Sequence, residues 1–153
     1  MKQQEPWLHQ FIFQQLTNIQ NLAILLVLTI HELKIQHAQQ WKKHLQLLKK
    51  ADYAIATSSG MSAIVLAFEI FPVGSKVVAA RDLYGGSFRW FNDKEKEGRF
   101  FFEYTNTEDE MIAAITEDTD IVYIETPTNP LMIEFDIEKV AKIAHDKGAV
   151  VID

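Results

Sequence analysis

Three short stretches, in one order, hold the residue types that could do chemistry. They are Thr57-Ser58-Ser59-Gly60-Met61, Asp82-Leu83-Tyr84-Gly85-Gly86-Ser87 and Glu125-Thr126-Pro127-Thr128-Asn129-Pro130, with Asp153 after them. Each falls where a buried strand gives way to a loop or helix, the edge at which open α/β sheets collect ligand-binding groups. Backbone N–H groups at Gly60 and Met61 open a helix at the positive end of its dipole, which suits a phosphate; the alternative is that Ser58 or Ser59 merely caps the helix. Neither the dinucleotide fingerprint nor the lysine-bearing phosphate loop is present. Two glycines leave the Tyr84 ring beside open space where a flat aromatic ligand can stack, or else they mark an ordinary turn. Two prolines narrow the positions open to Asn129, whose amide can bond a phenolic oxygen, although Asn-Pro is also plain turn chemistry. The Asp153 carboxylate, closing an apolar strand, calls for a cation or donors such as a protonated ring nitrogen, unless it stands in solvent.

The elements that must position these groups are legible as apolar runs. Tyr53 to Thr57, Lys76 to Arg81, Phe100 to Tyr104, Ile121 to Glu125 and Ala149 to Asp153 carry consecutive apolar or β-branched residues. Such runs mark parallel strands with both sheet faces covered. Between them, Met61 to Phe71 is apolar almost all round and predicts a deeply buried helix. Ser87 to Glu97, Glu108 to Glu117 and Ile137 to Lys147 are amphipathic, the last with Ile137, Val140, Ala141 and Ala144 on one face. The alternation predicts an α/β fold with a parallel sheet and right-handed crossovers.

At 153 residues the chain is one ordinary domain at most. With no cysteine it has no disulfide framework and no thiol nucleophile, and a reducing, cytoplasmic setting fits. A net charge of −6 argues against nucleic-acid affinity. The charge is uneven: the first fifty residues hold six lysines, no arginine and two acidic residues, the remainder nine basic and nineteen acidic. All ten glutamines fall in the first part and all six glycines in the second, so residues 1–50 read as a separate, mainly helical segment before an α/β part at 51–153. The apolar run Leu22 to Ile30 is about half a bilayer span, and neither membrane crossing nor a secretory signal is expected from it. His31-Glu32 would need a second histidine at position 35 to hold zinc; that residue is Ile35, and no metal site is expected.

From about Ala51 to Asp153 the motifs together resemble the Cys/Met-metabolism family of pyridoxal-phosphate enzymes, which includes cystathionine γ-synthase, cystathionine β- and γ-lyases and methionine γ-lyase. The resemblance implies a partial sheet of the aspartate-aminotransferase-like (fold type I) large domain, with a non-matching helical segment ahead of it. It implies that Gly60 and Met61 hold the cofactor phosphate through backbone amides, Tyr84 stacks on the pyridine ring and Asn129 bonds the ring hydroxyl. Asp153 would pair with the ring nitrogen and keep it protonated, and Arg89 matches an arginine near the substrate site. Cystathionine, homoserine esters or related amino acids are the implied substrates, and a homo-oligomer the implied assembly of the intact enzyme. Two family features have no counterpart. The Schiff-base lysine of a Ser-x-Thr-Lys stretch is absent, and residues 1–50 hold no Tyr-x-Arg to reach a neighbouring subunit's phosphate. A shifted frame over Gln39 to His44 can read Ala-Ala-Met-Glu-Glu-Ala, which would suit a family helix there, so a frameshift is one expected origin of residues 1–50. The expectation is a truncated piece of the large domain, inactive alone; the competing expectation is a noncatalytic α/β binding or assembly remnant.

Overall fold

Consecutive apolar residues build four parallel strands in a computed structural model that describes residue 55 and residues 57–153. The helical segment expected over 1–50 lies outside the described residues, as does most of the strand expected at Tyr53 to Thr57. The chain divides into two compact units, Met1–Phe71 and Pro72–Asp153.

The described part of the first unit carries helix α1 (Gly60–Glu69). Ser59 is its cap: the backbone there is extended and the hydroxyl accepts from Ser62 N at 3.1 Å. Ala63, Ala67 and Phe68 are buried and the other apolar residues of α1 are half-buried, so the burial is less complete than the all-round apolar pattern suggests.

The second unit runs β1 (Ser75–Ala80), α2 (Gly85–Lys96), β2 (Phe100–Thr105), α3 (Glu108–Ala114), β3 (Ile121–Tyr123), α4 (Ile137–Asp146) and β4 (Val150–Ile152). The strand order is β2-β1-β3-β4, all parallel, with Ala79 level with Tyr123 and Tyr123 level with Ile152. Helix α2 packs on β2, α3 on β1, β2 and α4, and α4 on β4. Phe91 anchors α2: it is fully buried, stacks on Phe102 at 4.6 Å and meets Tyr123 edge-on at 5.0 Å. Met111 does the same for α3, and Val140 and Ala144 for α4; Ile137, expected on that buried face, is 36% exposed. Thr107 and Asp136 cap α3 and α4 through their side chains. Gly148 takes φ +85 just after α4, the left-handed turn at which glycine ends helices without a steric penalty.

Three boundaries differ from expectation for local reasons. Gly85 and Gly86 are the first residues of α2 rather than a turn before it. Helix α3 stops at Ala114 because buried Ile115 turns extended and Thr116 N donates to Thr119 Oγ1 at 3.0 Å. Strand β3 ends at Tyr123, two residues early, where Glu125 leaves the ladder for other partners.

Candidate cofactor site

The shared level of Ala79, Tyr123 and Ile152 brings the carboxyl ends of β1, β3 and β4 to one rim, where ligand groups gather in open parallel sheets. The pairing runs one step past β3, since Ile124 N donates to Ile152 O at 2.9 Å, so Asp153 follows directly beside Ile124 and Glu125. From β1 come Asp82 and Tyr84, from β3 the loop 124–136, and from β4 Asp153.

Tyr84 is the cap residue of α2 and its side chain makes no cap bond. The residue is 49% exposed while its backbone is held: the N–H donates to Glu125 Oε2 at 2.8 Å. The same carboxylate accepts from Ser87 Oγ at 2.9 Å and from the Tyr123 hydroxyl at 2.8 Å, both on Oε1. Burial first, and then the Glu125 charge, push the Tyr123 hydroxyl well above the ordinary phenol range, so it stays a donor.

The loop that carries Asn129 is fixed from within. Thr128, 1% exposed, donates its N–H to Ile133 O and accepts Ile133 N on Oγ1, both at 2.9 Å. Thr126 Oγ1 accepts from Phe135 N at 3.0 Å, and Asp82 Oδ2 accepts from Leu131 N at 2.9 Å, which ties the loop to the end of β1. Met132 takes φ 57 in the same loop, a left-handed conformation that is uncommon outside glycine. Asn129 and Asp153 are exposed, and among the described residues neither side chain has a hydrogen-bond or ion-pair partner. Arg89 is exposed on α2 with its guanidinium over the start of the helix, where a Cβ added at Gly85 would lie 3.4 Å from Nη1.

Of the expected site residues, Tyr84, Asn129 and Asp153 come to this one rim, and Arg89 lies in the first turns of the helix that Tyr84 opens. Gly60 and Met61 belong to the other compact unit, where they form the first turn of a ten-residue helix with no acidic residue in that turn. Glu125 has a place at the rim that the sequence did not disclose, because its partners Tyr84 and Ser87 lie 41 and 38 residues away. Its appearance beside Thr126 and Pro127 in the third motif was the one available signal.

An open parallel sheet with a ring, an amide and a carboxylate at its carboxyl edge makes this an α/β protein whose strand-end rim is the candidate ligand site. The comparisons narrow that class. The family model described as "Cys/Met metabolism PLP-dependent enzyme" matches residues 36–153, and the chain belongs to this family. It is 39% identical over 107 residues to cystathionine gamma-synthase/O-acetylhomoserine (thiol)-lyase of Bacillus subtilis, a match covering 69% of this chain and 29% of that protein. Against cystathionine gamma-lyase of Sus scrofa it is 33% identical over 113 residues, covering 72% and 28%. The solved cystathionine gamma synthase of Xanthomonas oryzae pv. oryzae in complex with cystathionine superposes with a TM-score of 0.67 at 33% identity, covering 72% of this chain and 29% of that one. The chain thus spans roughly three tenths of the length of the curated relatives it matches.

The family's cofactor is pyridoxal 5'-phosphate. The groups at the rim fit its ring: a half-exposed tyrosine and, among the described residues, an unengaged amide and an unengaged carboxylate, beside a second carboxylate that already accepts from three donors.

Proposed function

We propose that the chain is the cofactor-binding portion of a trans-sulfuration enzyme's large domain, serving elimination or replacement on cystathionine, homoserine esters or related sulfur amino acids. By itself it binds cofactor without turning substrate over. The observation that carries this reading is the division of labour between two rim carboxylates, Glu125 engaged by three donors and Asp153 by none among the described residues. When bound, pyridoxal phosphate supplies an electron sink for carbanion chemistry at an amino-acid Cα. The chain's own residues then have distinct duties. Asp153 would hold the ring nitrogen and keep it protonated, Asn129 would bond the ring oxygen, and Tyr84 would stack on the ring. By the family resemblance Gly60 and Met61, at the start of α1, would take the phosphate on backbone N–H groups, and Arg89 would attend the substrate. The sequence holds no Ser-x-Thr-Lys stretch, and none of Lys139, Lys142 and Lys147 stands in such a motif, which is why turnover by these 153 residues alone is not expected. The intact enzyme works as a homo-oligomer in the cytoplasm, in keeping with the cysteine-free composition.

Titration of the full chain with pyridoxal phosphate, followed by circular dichroism induced in the cofactor band, tests this. Saturable binding is expected, weakened about tenfold or more by Tyr84→Ala and by Asp153→Ala, the loss of one stacking or charged contact. Binding that does not saturate, or that is equal in all three proteins, refutes the reading. Turnover of cystathionine or methionine by the chain refutes its inactivity.

A further inference from the structure

Glu125 has no part in that assignment, yet no other carboxylate among the described residues gathers as many hydrogen bonds to separate pieces of the rim. We propose that Glu125 is the positioning residue of the cofactor site: it sets the Tyr84 ring and the start of α2 against the end of β3. The inference rests on the cofactor reading above.

The argument begins with what α2 lacks. Its cap residue, Tyr84, offers no side-chain acceptor, and the first turn Gly85-Gly86-Ser87 holds no acidic residue. A helix start of that kind leaves N–H groups and a partial positive charge uncompensated. Glu125, arriving from β3, supplies both acceptor and charge: Oε2 takes the Tyr84 N–H at 2.8 Å and Oε1 takes the Ser87 hydroxyl at 2.9 Å. The Tyr123 hydroxyl, donating at 2.8 Å from β3 itself, aims the carboxylate. The three donors sit on the elbow after β1, on the first turn of α2 and on β3, so one side chain fixes the direction in which Tyr84 leaves the backbone. Arg89, one turn along α2, is set by the same anchor. A carboxylate with three of its roughly four lone-pair sites filled is a poor second partner for a ring nitrogen, which leaves that duty to Asp153.

The test uses the full chain and the variants Glu125→Gln and Ser87→Ala. Glutamine offers one acceptor oxygen and turns an N–H group toward a donor; Ser87→Ala removes one donor and keeps the charge, and so carries the test if Glu125→Gln fails to fold. Without cofactor, the Tyr84 backbone N–H should exchange with solvent about tenfold faster in Glu125→Gln, and less so in Ser87→Ala. With pyridoxal phosphate as the probe, affinity should fall about tenfold and the induced circular dichroism should change amplitude, since that signal reports ring orientation. Unchanged Tyr84 exchange in both variants overturns the proposal. Faster exchange with wild-type affinity and dichroism overturns the role toward the cofactor. Failure of the wild-type chain to bind is a different failure: it sinks the cofactor reading, and this role with it.

Discussion

Two tyrosines in this sheet should answer the same chemical change in opposite directions. Tyr123 donates its hydroxyl at 2.8 Å to the Glu125 carboxylate, whereas the Tyr104 hydroxyl is buried with no hydrogen-bond partner among the described residues. Both rings keep their neighbours when the oxygen is removed: Tyr123 meets Phe91 edge-on at 5.0 Å, and Tyr104 stacks on Phe102 at 5.7 Å. The ring contacts therefore cancel and the hydroxyl decides. Tyr123→Phe leaves a part-buried carboxylate one donor short, and a hydrogen bond to a charged group contributes about 1.5–3 kcal/mol. Tyr104→Phe removes a buried group whose desolvation nothing offsets, so its effect should lie between zero and a gain of about 1 kcal/mol. The two variants should differ by about 2 kcal/mol, or roughly thirtyfold in the folding constant. Urea unfolding followed by far-ultraviolet circular dichroism reads this as a lower midpoint for Tyr123→Phe and an equal or higher one for Tyr104→Phe, at constant slope. Equal midpoints, or a loss above about 1 kcal/mol in Tyr104→Phe, would show that the hydroxyl environments do not control the outcome.

Other expectations concern pH and the Asn129 loop. Burial, followed by the nearby Glu95 charge, pushes Tyr104 up to about 12, and Tyr123 is raised further. Folding thus favours the neutral phenols: this stability is complete below pH about 10, the unfolded value, and drains away as pH climbs beyond it. An alkaline melting series should show the loss, smaller in Tyr104→Phe. Glu108 is held below the usual carboxylate range by the Lys139 ammonium hydrogen bond and by Asp136 N–H. That contribution is present above pH about 4.5 and disappears on further acidification, so Glu108→Gln should flatten the acid limb of a stability profile. Thr128→Val keeps the shape but orphans Ile133 N–H, at a cost of about 1–3 kcal/mol by chemical denaturation, and should weaken pyridoxal phosphate binding through Asn129. Thr128→Ser should bind as wild type does.

Most of the second unit could be read from its amino acids, because consecutive apolar or β-branched residues mark its strands, although only β1 and β3 are largely buried while β2 and β4 leave Phe101, Glu103 and Val150 exposed. Lys76 to Arg81 and Phe100 to Tyr104 fall within a residue of β1 and β2. The misread ends are those set by distant partners. Gly85 and Gly86 look like a turn until Glu125, forty residues on, is seen stabilising a helix start there. Strand β3 looks longer than it is because Ile124 and Glu125 continue the apolar and extended pattern while the carboxylate turns to Tyr84 and Ser87. The candidate site was legible in the same uneven way. Ring, amide and terminal carboxylate stand in recognisable motifs, whereas the place of Glu125 beside Tyr84 and Ser87 is a product of the β2-β1-β3-β4 pairing, signalled in the sequence only by its neighbours Thr126 and Pro127.

That strand order also makes ligand occupancy a measure of how much of the sheet exists. Tyr84, Asn129 and Asp153 hang from three different strands, so a ligand that engages all three, as proposed above, requires β4 to stay paired with β3. Anything that binds only the assembled rim holds the strands together by mass action, contributing about 2.7 kcal/mol at a hundred times its dissociation constant. A ligand of this rim would in that way act on the pairing of β3 with β4 as well as on chemistry.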